Sequence, residues 1–372
     1  MKRIAHPLLT ATHGTQREIV SEHFGPDVYT RKVYIQACLH ADETPAMLVA
    51  TDLRQRLLAL EAAGRLTAQI VLVPVANPAG LAQFVMGAPS GRFELASGRN
   101  YNRDFPFPLE AILQRVEGEL TDDSQHNLKA VRAAWQQSLE AIAPRDEMAS
   151  LQRRLMLLAH DADLVLDLHC SREAVMHLYT SEWSWEQVEP LARYIGAKAS
   201  LLSVDSQALS FDEALSLIWW RLRERLQGAY PIPLGNACVT VEHRGQRDVD
   251  SALAQQDASA IIDYLCHAGF ISGEPAALPE LRWPGTPLAG SEQFIAPVGG
   301  VLVHRVALGT QVQPGEPMFD LIDPLSGEVT TVRSATAGVL YMRRDVRFVR
   351  PGDPLGRVTG TTPIRTGKLL SA

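Results

Sequence analysis

Three short apolar runs, each ending in a residue that can bind a metal ion, are the most regular pattern in this chain. The first, residues 33–39, is β-branched and apolar, which predicts a buried strand, and His40 follows it. The second and third runs end in His169 and Glu242. Ligands of an open α/β sheet bind at the carboxyl ends of its strands, so we expect these three side chains to lie together.

A helix is predicted directly after the first strand. Apolar residues recur at helical spacing over residues 46–63, and Pro45 lies in the first turn. Proline is tolerated there because the N–H that it lacks would have no partner in the helix. Glu43 therefore lies at the start of this helix, three residues after His40. A histidine and a glutamate at this spacing can bind one metal ion, although an ordinary polar surface turn would contain the same residues.

The three strand ends together favour a metal site over isolated polar residues. His40, Glu43 and His169 supply two imidazoles and one carboxylate, which leaves a fourth position of a zinc ion open to water. Glu242 then remains as a carboxylate for general base and acid chemistry. Asp167, two residues before His169, lies on the same face of the second strand.

Strand-like and helix-like patterns continue to alternate along the chain, which is typical of an α/β domain. The first strand, the helix and a further strand at residues 69–75 form a βαβ-like unit. The other predicted elements are, in chain order, a helical region at 109–160, a strand at 163–169, a helix at 211–226, a strand at 237–242 and a helix at 255–267. Residues 1–30 have only a weak pattern. His177 is interpreted as a core residue, although it could instead line the site.

A long polar segment at residues 91–106 interrupts the alternation. The pairs Arg99-Asn100 and Asn102-Arg103 occur there among aromatic residues. Such long loops in compact domains are usually functional or disordered, and the repeated arginine and asparagine pairing favours a functional loop.

The C-terminal part of the chain contains an internal repeat. A Gly-Val-Leu strand begins at Gly300 and again at Gly338, and a Pro-Gly turn follows at Gly315 and again at Gly352. Two copies of strand, turn and strand predict a small, quasi-symmetric β-sandwich or barrel. A Pro- and Gly-rich linker at residues 273–290 precedes it.

The repeat resembles a biotinyl/lipoyl carrier domain. Those domains attach their cofactor to a lysine in the hairpin between the repeats, but here that connection, residues 323–327, contains no lysine. The only lysine after the linker is Lys368, so we interpret the domain as structural.

Composition narrows the class of protein. The chain has 372 residues, 46% of them hydrophobic, so it can bury a large core and is long for one domain. Its net charge of −7, with both signs interspersed, argues against nucleic-acid binding. The four cysteines form no C-x-x-C pair and are interpreted as buried hydrophobic residues in a reducing compartment. Cys170 could instead be a metal ligand, but a strand neighbour of His169 should face away from the site.

Neither a signal peptide nor a membrane span is predicted. The N-terminus lacks a long apolar segment, and the longest uncharged run, residues 66–91, is interrupted by prolines and glycine. We therefore expect a soluble cytoplasmic protein.

Five short motifs follow one another along the chain: His40-x-x-Glu43, Asn77-Pro78, Asn102-Arg103-Asp-Phe, Asp167-Leu-His169 and Val241-Glu242. Taken in this order, they resemble the succinylglutamate desuccinylase/aspartoacylase family, a branch of the zinc carboxypeptidase-like hydrolases. The resemblance covers about residues 33–245. It implies a mixed-sheet, zinc carboxypeptidase-like α/β domain with helices on both faces. The expected division is a catalytic domain at 1–272, the linker at 273–290 and an all-β domain at 291–372.

The resemblance also implies a role for each matching residue. His40, Glu43 and His169 match the ligands of one zinc ion per chain, and Glu242 matches the general base and acid. Asn102 and Arg103 match the pair that binds the α-carboxylate of the substrate. The arginine that polarises the scissile carbonyl is best matched by Arg92, with Arg99 as the alternative. Where many relatives have Gly-Asn between the first two ligands, this chain has Ala41-Asp42, which adds a negative charge.

These features predict a zinc-dependent amide hydrolase that removes the acyl group from an N-acyl amino acid or a related small carboxylate. A metallocarboxypeptidase acting on short peptides is the alternative, since the same site would serve. A metal-free binding module without activity is the third hypothesis, which the full set of catalytic positions disfavours. The acyl group, the amino acid and the formation of a homo-oligomer stay open.

Overall fold

The computed structural model of the protein describes residues 1–370. The helices are α1 (Thr44–Ala62), α2 (Pro78–Leu81), α3 (Leu109–Val116), α4 (Ser124–Glu140), α5 (Glu147–Ala159), α6 (Trp185–Tyr194), α7 (Phe211–Leu226) and α8 (Ser251–His267). The first twelve strands are β1 (Lys2–Pro7), β2 (Glu18–Phe24), β3 (Lys32–Ala37), β4 (Gln69–Val73), β5 (Phe84–Val85), β6 (Ala88–Pro89), β7 (Leu164–Ser171), β8 (Glu173–Ala174), β9 (His177–Ser181), β10 (Ala199–Ser203), β11 (Ala237–Gly245) and β12 (Thr286–Pro287). The C-terminal strands are β13 (Glu292–Ile295), β14 (Gly300–His304), β15 (Gln311–Val312), β16 (Pro317–Ile322), β17 (Val329–Arg333), β18 (Gly338–Arg343), β19 (Phe348–Val349) and β20 (Pro354–Val358).

A mixed sheet of nine strands forms the centre of the larger region. Its order is β1-β2-β4-β3-β7-β11-β9-β10-β12. The neighbours β4, β3, β7 and β11 run parallel, whereas β2 and β9 pair with them antiparallel. The four strands predicted from apolar runs are therefore adjacent, and their carboxyl ends meet at one edge of the sheet.

Helices cover both faces of this sheet, as the resemblance implies. Successive side chains of a strand point to opposite faces, so Val165 and Leu166 of β7 enter different hydrophobic clusters. On one face, residues of α1, α6 and α8 pack against the sheet, among them Leu53 and Ile261. On the other face, α3, α4, α5 and α7 form a cluster that includes the buried Trp135. The predicted α/β class is confirmed.

Some elements differ from those predicted. The weakly patterned N-terminus forms the hairpin of β1 and β2 at the sheet edge, where β1 is exposed along most of its length and so shows little hydrophobic pattern. The helical region at 109–160 consists of three helices. Asp123 caps α4 by accepting from the N–H of Gln125, and Asp146 caps α5 by accepting from that of Ala149.

The C-terminal region folds into two small sheets around their own core. Their orders are β13-β20-β18-β15 and β17-β16-β14-β19, and Leu302, Phe319, Leu340 and Leu355 are buried between them. The two predicted repeats begin with β14 and β18. β8 of the larger region pairs with β18, so the two regions share a hydrogen-bonded sheet.

The predicted division into two domains and a linker stays a prediction. β12, inside the predicted linker, pairs with β10 and so belongs to the large sheet. None of the helices within residues 1–370 is long and apolar enough to span a membrane.

His177 is fully buried where the two regions meet, consistent with its interpretation as a core residue. Its Nδ1–H donates to the carbonyl oxygen of Val175 at 2.8 Å, and its ring lies 5.5 Å from that of Tyr179 and 5.2 Å from that of Tyr341. Burial lowers the pKa of His177 to about 4.

We expect this buried imidazole to weaken the fold in acid. A histidine in an unfolded chain has a pKa of about 6.5. Between pH values of about 6.5 and about 4, His177 therefore binds a proton in the unfolded chain but not in the folded one. Stability is therefore lost as the pH falls through this window, by up to about 3 kcal/mol. In His177→Phe, the free energy of unfolding in urea should fall less between pH 7 and pH 4.5 than in the wild type. The exposed His13→Phe is the control, and an equal fall in His177→Phe and the wild type would contradict this expectation.

Candidate active site

The predicted metal-binding residues meet at the carboxyl edge of the central strands. His40 follows β3, while His169 of β7 is the register partner of Glu242 in β11. Glu43 is the N-terminal cap residue of α1. The structure thus brings these four side chains to one place, as the strand pattern predicts.

The turn that carries His40 is held by the Asn-Pro motif. Cys38 has a left-handed backbone with φ of 67°, which turns the chain sharply after β3. The Nδ2–H of Asn77 donates to the carbonyl oxygen of Leu39 at 3.0 Å, while Asn77 Oδ1 accepts from the N–H of Gly80 at 2.7 Å. The asparagine therefore fixes the backbone directly before His40.

Glu43 lies between the two histidines. Its Oε1 is 3.0 Å from Nδ1 of His40, and its Oε2 is 2.8 Å from Nδ1 of His169. All three side chains are buried, and their ligand atoms lie within 4.8 Å of one another. Two imidazole nitrogens and a carboxylate oxygen in this arrangement could hold a metal ion.

The far nitrogen of each histidine faces an acceptor oxygen. Nε2 of His40 is 2.8 Å from Oδ1 of Asn100. Nε2 of His169 is 2.9 Å from Oδ2 of Asp167, an ion-pair distance without good hydrogen-bond alignment. A proton on each Nε2 leaves the Nδ1 lone pairs directed at the shared centre, as ligands of a metal require. The donor set therefore fits a metal ion.

Asp167 is itself held in a buried hydrogen-bond chain. Gln36 donates from Nε2 to Oδ1 of Asp167 at 2.9 Å, and its Oε1 accepts from the hydroxyl of Tyr34 at 2.9 Å. All three residues have 0% exposure, so this chain restricts the carboxylate beside His169 to one position.

The ionisable groups of the centre shift one another's pKa values. Burial, followed by the charge of Arg92, lowers the pKa of His40 to about 4. Burial raises the pKa of Glu43, but the opposing effect of the two histidines is greater, so this pKa lies well below its usual range. Burial lowers the pKa of His169, but the opposing effect of Asp167 and Glu43 is greater, so this pKa lies well above its usual value. Glu43 is thus a carboxylate at neutral pH, which suits a cation.

Glu242 differs from Glu43 in its environment. Its Oε2 accepts from the hydroxyl of Ser171 at 3.3 Å, and it forms no ion pair among the described residues. Burial and then the charge of Glu43 raise the pKa of Glu242 to about 7. A carboxyl group with this pKa can both take up and release a proton near neutral pH.

The structure places Arg92 in the site and Arg99 outside it. NH1 of Arg92 donates to Nδ1 of His40 and to Oε1 of Glu43, both at 3.2 Å. Arg99 instead forms ion pairs at 3.2 Å with Glu94 and at 2.8 Å with Asp146.

A close backbone approach explains the position of Arg92. The preceding residue, Gly91, packs so tightly on Ala41 that an added Cβ would lie 2.5 Å from the Ala41 Cβ. The N–H of Ala41 donates to the carbonyl oxygen of Gly91 at 3.1 Å. Only glycine allows this contact, which brings the start of the polar loop to the metal-binding turn.

Asn102 and Arg103 line the same cavity from the polar loop. Oδ1 of Asn102 accepts from the backbone N–H of Phe211 at 2.8 Å, so its Nδ2 is left as a donor. NH1 of Arg103 donates to the carbonyl oxygen of Asn102 at 2.6 Å. Burial and then the charge of Arg92 lower the pKa of Arg103 to about 10, so it is still a cation at neutral pH.

The cavity above these residues has a volume of about 780 Å³, and the C-terminal region forms one of its walls. Met342, Arg343 and Arg357 are among the residues of that wall. Nε of Arg343 pairs with Glu173 at 2.7 Å, next to the contact of β8 with β18. The C-terminal region therefore contributes side chains to the wall of the candidate site.

Sequence reasoning missed Asn100 and the wall from the C-terminal region. Asn100 could have been suspected from its position in the polar loop, beside Arg99. Nothing in the repeat marks Arg357 as a cavity residue, because its position depends on packing between distant segments.

The chain is similar to known proteins in sequence and in fold. Residues 29–268 match the model of the succinylglutamate desuccinylase/aspartoacylase catalytic domain. A succinylglutamate desuccinylase/aspartoacylase family protein from Shewanella amazonensis SB2B is 27% identical, with a TM-score of 0.83 and coverage of 96% of this chain and 98% of that one. A similar protein from Shewanella frigidimarina NCIMB 400 is 25% identical, with a TM-score of 0.84 and coverage of 96% and 97%.

A more distant structure shares only the fold. The product-bound ectoine utilization protein EutE from Ruegeria pomeroyi is 16% identical, with a TM-score of 0.67 and coverage of 96% of this chain and 95% of that one. No curated protein matches the chain. The family model alone spans well over half of the sequence, and the resemblance drawn from its motifs is confirmed: the chain belongs to the succinylglutamate desuccinylase/aspartoacylase family.

Proposed function

We propose that this protein is a zinc-dependent amide hydrolase that removes the acyl group from N-acyl amino acids or related small carboxylates. The observation that carries the proposal is the convergence of His40, Glu43 and His169 beside a cavity. Two of them, His40 and His169, line this cavity together with Glu242. Membership of a family of desuccinylases and aspartoacylases supports a hydrolase.

The three ligand residues support zinc as the cofactor, with one ion per chain. Two histidines and one glutamate with an open fourth position are a known catalytic zinc set. Zinc held in this way lowers the pKa of a water molecule and polarises a carbonyl group. Asn100 and Asp167 would keep the two imidazoles in the tautomer that presents Nδ1.

Glu242 is proposed to move the proton. As a carboxylate it would accept a proton from the attacking water, and as the acid it would donate that proton to the departing amine nitrogen. A pKa near 7 suits both halves of this task, because neither proton transfer is then strongly uphill.

The arginines and Asn102 are proposed to orient the substrate. Arg103 would bind the α-carboxylate through charge-assisted hydrogen bonds, and Nδ2 of Asn102 would donate to the same group. Arg92, next to Glu43, would donate to the oxygen of the scissile carbonyl as negative charge develops on it.

A metallocarboxypeptidase acting on short peptides is the second candidate, because the same residues would bind a terminal carboxylate beside a scissile amide. The two functions separate in a screen of N-acyl amino acids against short peptides, with zinc analysis of the same protein. All four cysteines are unpaired and buried, which supports a reducing compartment, and we propose the cytoplasm.

The purified protein should hold one zinc ion per chain. His40→Ala removes a ligand and should abolish stoichiometric binding, while Asn100→Ala leaves the imidazole unsupported and should weaken zinc affinity about 10- to 100-fold. Metal analysis and competition with a chromogenic chelator measure both effects. Arg99→Ala, outside the centre, is the control. Unchanged metal content in His40→Ala would rule out this ligand set.

Glu242→Gln should lower kcat by at least about 100-fold, the low end for loss of a general base and acid. The amide keeps the shape of the side chain, and the metal has its three ligands without it, so zinc content should not change. Steady-state kinetics with the best N-acyl amino acid of the screen measure the loss. Retained turnover at neutral pH would assign the base to another residue, such as Asp42 or Glu173.

Arg103→Lys should lower kcat/KM by at least about tenfold. Bidentate contact with a carboxylate contributes roughly 1.5–3 kcal/mol, and lysine cannot reproduce its geometry. The wild type should also hydrolyse the free acid far better than a neutral amide analogue. Arg99→Lys is the matched control. Equal rates on both substrates, with Arg103→Lys slowing both alike, would show that Arg103 only fixes the loop.

A further inference from the structure

Asp257 on α8 lies on the far side of the sheet from the cavity, yet it contacts the two residues that follow Glu242. We propose that Asp257 is a positioning residue: it fixes the end of β11 and so holds Glu242 in the place where it acts. The inference rests on the proposed function for the role of Glu242, whereas the placement of Glu242 can be tested without it.

The alternation of β11 explains why the contacts lie behind the sheet. Val239 and Val241 belong to the hydrophobic cluster that α8 covers, and His243 continues on the same face. Glu242 therefore points the other way, into the cavity. Because His243 directly follows Glu242, a shift of the His243 backbone also moves Glu242.

The ladder between β7 and β11 is irregular at this point. Glu242 pairs with His169, but the next pair is Gly245 with Ser171, so β11 has one extra residue. Such a bulge bends a strand and redirects its side chains. Arg244 in the bulge has φ of 64°, a conformation that residues other than glycine rarely adopt.

One carboxylate holds both bulge residues. Oδ2 of Asp257 is 2.9 Å from Nδ1 of His243 and accepts from NH1 of Arg244 at 2.8 Å. Oδ1 of Asp257 accepts from NH2 of Arg244 at 2.7 Å. Asp257 is 2% exposed and His243 is fully buried, so the carboxylate is shielded from water.

These contacts supply what the strand pairing lacks. A bulge removes ladder hydrogen bonds where the chain carries the proposed base, and a left-handed Arg244 persists only where its surroundings determine it. The bidentate ion pair of Asp257 with Arg244 and its contact with His243 hold the backbone of the bulge in this conformation. Without them, the strand end can relax and move Glu242 away from the neighbouring His169.

The first test compares crystal structures of the wild type and Asp257→Asn, both loaded with zinc. The amide keeps the size of the side chain but loses the charge that holds Arg244. We expect the Glu242 carboxylate to move by more than about 0.5 Å, the tolerance of a catalytic group, while His40, Glu43 and His169 stay in place. An unmoved Glu242 would overturn the proposal, whatever the activity of the protein.

The second test measures kinetics with the N-acyl amino acid that the wild type hydrolyses fastest. Asp257→Asn should lower kcat by about tenfold or more, with KM and zinc affinity within about twofold of the wild type. In the Glu242→Gln background the same substitution should cost less than about twofold, because the residue that it positions no longer acts. Losses that multiply in the double variant would assign Asp257 to general stability and overturn the proposal.

Two further variants make the result specific. Arg244→Gly keeps the left-handed backbone without strain and removes the guanidinium, so it should reproduce the loss of kcat even if Asp257→Asn folds poorly. Glu22→Gln removes a comparably buried carboxylate, whose Oε2 lies 2.8 Å from Nε of Arg54. This pair is not part of the cavity, so the substitution should leave kcat unchanged. Full activity of Glu242→Gln would refute the proposed role of Glu242 as base and acid, while the crystal structures would still decide the placement of its carboxylate.

Discussion

The carboxylate of Glu43 between two buried imidazoles is the interaction on which the rest of the site depends. A charge removed from water is costly unless partners surround it, and here Glu43 has His40 on one side and His169 on the other. Those partners come from separate elements, the turn after β3 and the end of β7. The site therefore exists only if the parallel strands are in register, and the hydrogen bond from Gln36 of β3 to Asp167 of β7 supports that register.

Much of this arrangement follows from local pattern. Apolar runs ending in His40, His169 and Glu242 are visible in the sequence because a strand buried on both faces must be apolar until it reaches the sheet edge, where polar residues resume. That is why the central strands, the α/β class and the residues that converge in the centre could all be predicted from the sequence. The helices α1, α7 and α8 were predictable for a similar reason, since each buries apolar side chains in the clusters beside the sheet. In contrast, α6 was not predicted.

The parts that could not be predicted depend on contacts between distant segments. Arg92 and Arg99 look alike in the sequence, and only the close approach of Gly91 to Ala41 decides which of them reaches the centre. The same holds for Asn100, for the β1–β2 hairpin at an exposed edge, and for Arg357 in the cavity wall. The bulge after Glu242 is also invisible locally, because the residue that accounts for it, Asp257, follows on a different element.

The candidate metal ligands and part of the cavity wall lie in different regions of one polypeptide. The pairing of β8 with β18 joins these regions. The candidate metal ligands and Glu242 lie at the carboxyl edge of the central sheet, while part of the cavity wall lies on strands of the C-terminal region. Substitutions in those late strands can alter which molecules fit the cavity without disturbing the candidate metal centre. For evolution or protein engineering, this separation offers a route to new specificity that leaves the costly buried charges untouched. It also means that the late strands cannot simply be exchanged as a detachable module, because the backbone of β18 pairs with β8 of the region that carries the candidate metal centre.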